Sequence, residues 1–365
     1  MTDIDRAHMA HALMLGARNM GQTWPNPAVG CVIVKDGRVV GRGSTQPGGR
    51  PHAETEALSM AGAAARGATA YVTLEPCAHH GLTPPCTDAL IAAGIARVVA
   101  PFSDSDPRVS GKGFEMLRAA GIAVETGVMA EEAARDHVGF LKRVRIGRPH
   151  LTLKLATSLD GRIATATGES QWITGPAARA FVHAARAKSD AVMVGAGTAR
   201  ADDPSLTARG MGVKRQPVRV VVSRLIDLPL MGNLARTARD VPVWICHGPD
   251  APAETRAAWQ GLGARLLPCA LAGRQLDPAS VLDALGQTGL TRVFCEGGGA
   301  LAATLMQADL VDEFMGFTAG LALGAEGRPG IGALGIDRLV EARRFTLAET
   351  RDVGGDILHR WVRAD

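Results

Sequence analysis

The chain has 365 residues and a formal net charge of +4, with 46% hydrophobic, 21% charged and 4% aromatic residues. At roughly 100–200 residues per domain this predicts two globular domains, and so small a positive charge suits an anionic small molecule but lacks the basic stripe of a nucleic-acid binder. No apolar run reaches the ~18 residues of a membrane span, and MTDIDRAHMAHAL has early acids and no continuous apolar stretch, so neither a span nor a signal peptide is expected.

Residues 3–21 read as a helix. AVGCVIVKDGRVVGRG reads as a hairpin about Asp36-Gly37, a strong turn pair. A helix from about Ala53 to Ala65 follows, then a strand (ATAYVTLEP), a helix (CTDALIAAG), a strand (RVVAPF), a helix (GFEMLRAAG), a short strand (AVETGV) and a closing helix near Ala130–Val144. This alternation predicts a three-layer α/β domain. RIGRPH is a basic joint marked by Gly and Pro, which puts a boundary near Gly147 and divides the chain into residues 1–146 and 147–365.

The second half opens a new sheet. HLTLKLATSLDG is a strand running into a turn at Asp160-Gly161, with a short hairpin expected after it. AARAFVHAARAKS is helical, and DAVMVGAGT is a buried strand ending at Gly195-Ala196-Gly197, with Ala199–Leu206 as a loop beyond it. VRVVVSR, VPVWICHG and TRVFCEGGG are further apolar strands, and their helical spacers predict a mostly parallel sheet covered on both faces.

Six cysteines stand at 31, 77, 86, 246, 269 and 295. A cytoplasmic location is expected, which argues against disulfides. Cys31, Cys246 and Cys295 sit in apolar runs and read as core; Cys269 carries no assignment. Cys77 and Cys86 differ, because LEPCAHHGLTPPC surrounds them with Pro and Gly. Cys77 follows a strand and Cys86 precedes a helix. Upstream, RPHAETEAL puts His52 and Glu54 at a helix start. Taken alone, His-x-Glu there is capping and surface charge. Together, His52, Cys77 and Cys86 supply one nitrogen and two thiolates, and three protein ligands leave the fourth tetrahedral position to water, the catalytic zinc pattern. Glu54 is poorly directed as a fourth ligand and well placed to move a proton from that water to a leaving amine. His-x-Glu followed by Pro-Cys and a second Cys is the layout of zinc base deaminases. His79 and His80 compete as ligands, although contacts to the metal-binding side chains or to the substrate suit them better.

PNPAVGCVIV (25–34), PHAE (51–54) and EPCAHHGLTPPC (75–86) resemble the deaminase half of the bifunctional riboflavin-biosynthesis deaminase/reductases. The resemblance implies a cytidine-deaminase-like fold, one zinc per chain, and a diaminopyrimidinone substrate bearing a ribosylamino 5-phosphate. It implies that Asn26 contacts the pyrimidine and that Glu54 transfers protons at the deaminated carbon. Thr45, Leu82 and Asp106 depart from the family pattern, where His, Lys or Arg, and Asn are common.

In the second half, close backbone approach is easy at Gly195–Gly197, and ligands of open α/β sheets bind at strand C-terminal ends. RVFCEGGGALAATLMQ ends a strand at Glu296, follows it with three glycines and begins a helix near Ala300, whose free N–H groups favour phosphate. With LKLATSLDGRIATATGESQWITG and RAKSDAVMVGAGTARADDPSLTAR, these segments resemble the reductase half of the same family, which has a dihydrofolate-reductase-like fold. The resemblance implies substrate contacts at Ser170, Arg186, Leu206, Arg209 and Glu296. It implies NADPH contacts at Ala156, Trp172, Thr198, Asp202 and the run Gly298, Gly299, Ala300, Leu301, Ala302 and Ala303. Lys154 and Asp160 are supporting positions of its strand-turn motif. Arg186 and Arg209 suit phosphate because guanidinium forks pair with its oxygens. VRVVVSRL ends a strand at Ser223-Arg224. By analogy with dinucleotide-binding sheets, where an acid at that point holds the ribose 2′-hydroxyl and an Arg accommodates a 2′-phosphate, Ser223 and Arg224 are expected to favour NADPH.

The expectation is a two-step enzyme acting on a phosphorylated pyrimidine, without nucleic-acid or membrane partners, and homo-oligomeric. A nucleic-acid base deaminase would share the zinc site, but it calls for a basic stripe and stacking aromatics that this composition lacks. A zinc-stabilised domain fused to a nucleotide sensor needs a fourth protein ligand, for which only His79 or His80 is near in sequence.

Overall fold

The computed structural model describes residues 2–79, 84–103 and 111–364. The chain forms two compact units, Met1–Gly147 and Arg148–Asp365.

The first unit runs α1 (Asp3–Ala17), β1 (Gly30–Lys35), β2 (Arg38–Ser44), α2 (Ala53–Ala61), β3 (Thr69–Val72), α3 (Cys86–Ala92), β4 (Arg97–Ala100), α4 (Lys112–Ala119), β5 (Ala123–Thr126) and α5 (Ala130–Ile146). Its sheet has the order β2-β1-β3-β4-β5. The β1–β2 hairpin turns at Asp36 and Gly37, both at positive φ, the backbone that an Asp-Gly pair favours. Both faces of the sheet are covered, which is why β1 is apolar up to its last residue, Lys35. Cys31 and Ile33 join the core under α2, α3 and α4. Val32 and Val34 join the opposite core with Met9, Ala12 and Leu13 of α1 and Ala133 of α5. The first helix stops at Ala17, short of the expected residue 21, and its N-terminus is closed by a capping box between Thr2 and Asp5. Asp5 also accepts from Tyr71 and Arg97 at 2.9 Å each. The second helix ends at Ala61 and tightens into a 3-10 turn, Gly62–Ala65. It lies almost on the backbone of β2: a Cβ on Gly43 would stand 2.0 Å from Ala53 O, and one on Gly41 2.2 Å from Ala57 O. This close approach fixes where the helix begins.

The second unit comprises β6 (His150–Ser158), β7 (Arg162–Ala164), α6 (Pro176–Ala187), β8 (Ala191–Gly195), α7 (Ala196–Asp202), β9 (Val218–Val222), α8 (Asn233–Arg236), β10 (Val243–His247), α9 (Ala253–Gly261), β11 (Arg265–Pro268), β12 (Leu271–Ala272), β13 (Gln275–Leu276), α10 (Pro278–Gln287), β14 (Arg292–Cys295), α11 (Gly299–Gln307), β15 (Glu313–Ala319), β16 (Arg328–Pro329), β17 (Phe345–Val353) and β18 (Asp356–Arg363). Nine strands form one sheet in the order β11-β10-β9-β8-β14-β6-β15-β18-β17. The pairs from β11 through β15 are parallel, as the apolar runs predicted, and β18 and β17 add an antiparallel edge. Arg148 and Asp312 pair through two buried contacts, 2.8 and 2.9 Å, and Asp312 also takes the Leu151 N–H, tying the first strand to its neighbour β15.

Two expectations need correction, and one hairpin was not expected at all. The span 199–206 is not all loop, because Ala196–Asp202 forms a short helix directly on the end of β8, and the irregular chain starts at Asp203. β7 does not fold back on β6: it pairs with β16, far downstream, because the loop after β15 returns across it. The β17–β18 hairpin went unanticipated, since its strands are too exposed to leave an apolar run. Cys31, Cys246 and Cys295 are buried free thiols as expected, and Cys269 is buried beside them in class.

Candidate functional site

In the first unit, His52 is the N-cap residue of α2, extended at φ −74° and ψ 159°. Cys77 lies on the loop leaving β3. Glu75 anchors that loop, its carboxylate accepting from the N–H groups of Gly111 at 2.9 Å and Gly113 at 2.8 Å. Cys86 opens α3, and its N–H donates to Cys77 Sγ at 3.3 Å. Thr87 closes the turn from the same helix, donating through N–H and hydroxyl to Cys77 O at 3.2 Å each.

Two helix starts and a loop thus converge. His52 Nδ1 stands 3.3 Å from Cys86 Sγ and 3.7 Å from Cys77 Sγ, and the three ligand atoms lie within 4.8 Å of one another. A tetrahedral ion with Zn–S near ~2.3 Å spaces its donors by under ~4 Å, so the set fits zinc in geometry and in softness. His52 Nε2 is buried without a partner among the described residues, so the ring directs its one engaged nitrogen at the sulfurs. Among the described residues His79 is not part of the cluster, and its buried Nδ1 has no partner. His80, Leu82 and Asp106 lie outside the described residues.

Cys77 is held down to about 4, chiefly by its hydrogen bond with Cys86, against burial and with help from His52. Cys86 is pushed up by the same contact and by burial. A dication held between the two sulfurs would favour both as thiolates. Glu54 is buried in the first turn of α2, and burial followed by the Cys77 charge pushes its carboxyl up to about 7. The Asn26 amide donates to Gly49 O at 2.8 Å, three residues before His52. Thr45 is buried and its hydroxyl accepts from Val29 N–H at 3.1 Å, a tie inside the sheet.

In the second unit, Glu296 follows β14 and is clasped by Arg186 of α6, Nε to Oε1 at 2.5 Å and Nη2 to Oε2 at 3.0 Å. The third arm of Arg186 donates to Thr207 O at 2.9 Å. The fork expected on phosphate is thus engaged within the protein. Burial pushes Glu296 up, but Arg186 and then Lys154 outweigh it and hold the carboxyl below its ordinary value. Lys154, on β6, is pushed down by burial, partly offset by Glu296. His183, one turn ahead of Arg186, accepts the Arg209 N–H at 3.2 Å. The sequence reading passed over His183; its i, i+3 spacing from Arg186 was the available signal. Leu206 is buried at φ 53° where the chain turns toward these groups.

Thr198 and the glycine run meet directly, Gly298 N–H donating to Thr198 Oγ1 at 3.2 Å, and Gly195 faces Leu301 at 3.7 Å from a Cβ built on the glycine. Ala302 and Ala303 are buried, and Ala302 N–H already donates to Gly298 O, so the open end of α11 is Gly299, Ala300 and Leu301. Asp202 is exposed at the end of α7, Ala156 packs beside Phe317 and Phe294, and Ser170 is half-buried. Trp172 is not core: it is 65% exposed, with the Arg179 guanidinium 4.7 Å above its ring. Ser223 is buried and donates to Asp227 at 2.8 Å. Arg224 is engaged with Asp250, at 2.9 Å from Nε, and with Arg274 O at 2.6 Å.

Comparison with known proteins places both halves. Residues 2–101 match the model for the cytidine and deoxycytidylate deaminase zinc-binding region, and residues 149–359 match the RibD C-terminal domain. The riboflavin biosynthesis protein RibD of Escherichia coli is 44% identical, covering 99% of this chain and all of that protein. The Aquifex aeolicus protein of the same name is 38% identical over 98% of each. The chain belongs to the RibD family of bifunctional deaminase/reductases. Among solved structures, Acinetobacter baumannii RibD superposes with a TM-score of 0.88 at 38% identity, and the Thermotoga maritima deaminase/reductase with 0.86 at 33%, each covering 99% of both chains. A cytidine-deaminase-like unit therefore precedes a dihydrofolate-reductase-like unit. As a RibD-family member the chain is an enzyme of riboflavin biosynthesis with two activities, deaminase and reductase, implying zinc and a nicotinamide cofactor. No described helix is long and apolar enough to cross a membrane.

Proposed function

We propose that residues 1–146 deaminate the diaminopyrimidinone ribosylamino 5′-phosphate and that residues 147–365 then reduce its ribosyl chain with NADPH, giving 5-amino-6-(5-phosphoribitylamino)uracil. The convergence of His52, Cys77 and Cys86 beside a buried Glu54 carries this reading. These three residues hold one zinc per chain, which supplies the Lewis acidity that makes water a nucleophile near neutral pH. Glu54 takes the proton from the attacking water and delivers it to the departing amine, leaving the ring carbonyl and ammonia. Asn26 orients the pyrimidine.

In the reductase, the nicotinamide supplies the hydride. Thr198, Asp202, Ala156, Trp172 and the run from Gly298 to Ala303 hold the cofactor, with the phosphates at the open N–H groups of α11. Glu296, Ser170 and Leu206 contact the substrate. Arg186 shapes that contact by holding Glu296 ionised, and Arg209 offers its guanidinium to the substrate phosphate. Ser223 and Arg224, whose side chains meet Asp227 and Asp250, favour NADPH over NADH, because the residue that follows β9 is a Ser and not the acid that would hold a ribose 2′-hydroxyl. The enzyme works in the cytoplasm as a homo-oligomer and takes no nucleic acid.

Incubating the zinc-loaded protein with the diaminopyrimidine phosphate tests the assignment. Ammonia should appear without NADPH, and ribityl product only with it. Ribityl product without ammonia release would overturn the order of steps.

A further inference from the structure

β7 pairs with β16 instead of β6, and the segment that carries β16 reaches the glycine run at the start of α11. Residues 320–332 are tied down in sequence. Leu159 N–H donates to Leu321 O at 2.8 Å. The Asp160 carboxylate accepts from Leu323 N–H at 3.1 Å and Gly324 N–H at 2.7 Å. Arg328 and Pro329 pair with Ala164 and Arg162. Gly330 N–H donates to Gly161 O, and Gly332 N–H to Gly299 O, both at 2.9 Å. The far end of this strap presses on the start of α11, since a Cβ on Gly299 would stand 2.7 Å from Pro329 O.

Within this series Asp160 supplies the side chain; the other ties are backbone to backbone. Asp160 is itself fixed: Ser158, the buried last residue of β6, donates its hydroxyl to Asp160 Oδ1 at 2.6 Å and accepts the Arg162 N–H at 2.8 Å. The carboxylate thus faces one hydroxyl and two N–H groups, all donors, a pattern only an acceptor-only group satisfies. Its acidity agrees, since the Ser158 hydroxyl and then the Leu323 N–H hold it down to about 2.

We propose that Asp160 is a positioning residue of the reductase: through the 320–332 strap it fixes Gly299 at the start of α11, in the run from Gly298 where the phosphates of the nicotinamide cofactor bind. The inference rests on the assignment of that run to the cofactor made above. A phosphate gains from N–H groups already aimed at it. A strap released from Asp160 leaves Gly299 to be ordered on binding, a cost that falls on cofactor affinity rather than on hydride transfer.

Full-length Asp160→Ala, Asp160→Asn and Ala300→Glu, zinc-loaded, test this by NADPH titration and by steady-state reduction of 5-amino-6-(5-phosphoribosylamino)uracil, with the deaminase rate measured on the same preparations. Asp160→Ala should raise the Kd and KM for NADPH about tenfold, the loss of roughly one charge-assisted hydrogen bond. It should leave kcat at saturating cofactor, the pyrimidine KM and the deaminase rate within about twofold. Asp160→Asn keeps a carbonyl acceptor and should recover part of the loss; it carries the same test if the Ala variant fails to fold. Ala300 is exposed, and Ala300→Glu should weaken NADPH binding by repelling its phosphates. Weak binding in Ala300→Glu with normal binding in the Asp160 variants would overturn the role of Asp160 and leave the cofactor loop standing. No effect of Ala300→Glu would overturn the loop assignment and the proposal with it. A fall in kcat with unchanged NADPH affinity would also overturn it.

Discussion

The two units build their sites by different means. On the function proposed above, the chemistry of the first sits in side chains that few other residues replace: His52, Cys77, Cys86 and Glu54, delivered by two helix starts and one loop. That proposed for the second sits largely in backbone, the open end of α11 and the ends of parallel strands, with an internal ion pair between Arg186 and Glu296. A site of scarce side chains fails all at once when one is changed. A site of backbone positions degrades by degrees, through whatever holds the backbone in place.

The largest test of that contrast is Glu54→Gln. It should retain zinc, read by elemental analysis, and lower the deamination rate by a factor of about 10²–10⁴, the usual contribution of a positioned acid-base group. Reduction of the already deaminated intermediate should be unaffected. Full deaminase activity would remove Glu54 from its role.

Next comes Arg186→Ala, which leaves Glu296 inside the protein without its partner. Breaking a buried pair costs about 3–5 kcal/mol, and Arg186 and Glu296 are 14% and 10% exposed, so the second unit should lose most of that in denaturant unfolding, together with reductase activity. The same pair gives that unit a pH dependence. Glu296 has a folded pKa below its unfolded value of ~4.3, so its contribution is present above that value and is lost as pH falls through the folded one. Arg186→Ala should remove this acid-side slope. An unchanged slope would assign the acid sensitivity to other carboxylates.

A fragment from residue 148 onward should still bind NADPH, because every proposed cofactor contact lies beyond that point and the second unit has its own sheet and cores. Binding only by the intact chain would show that the reductase site is completed by the first unit. The smallest effect is expected from Arg224→Ala. Its guanidinium is shared with Asp250 at a half-exposed position, so the NADPH Michaelis constant should rise only about threefold, with NADH nearly unchanged. Equal losses with both cofactors would show that Arg224 does not read the 2′-phosphate.

The same contrast governs what could be read from the sequence. The strands of the first sheet and five of the nine in the second were legible because burial on both faces makes most of them largely apolar, as at 31–34 and 243–246. The zinc cluster was legible because Cys next to Pro at a helix start has few uses, and its three members do stand together. Less could be read where function is carried by pairing between distant segments. Nothing in Arg162–Ala164 announces a partner at Arg328–Pro329, and nothing in Arg186 says that its fork is taken up by Glu296. The exposed edge hairpin leaves no periodic apolar signal, so Phe345–Val353 passed unnoticed. Ala196–Asp202 was misread because Gly and Ala at a strand end suit a loop and a short helix equally well.

The order of strands in the second unit also has a consequence in time. His150–Ser158 leaves the ribosome first among the strands of its sheet, yet its two neighbours are Arg292–Cys295 and Glu313–Ala319. Through most of the synthesis of this half, that strand has apolar side chains and an unpaired ladder on both sides. Since chains emerge at about 5–20 residues per second and unpaired strand edges invite foreign partners, the nascent enzyme passes several seconds with its central strand unsheltered. Newborn chains, rather than finished enzyme, are where this protein is most exposed to aggregation and to chaperones.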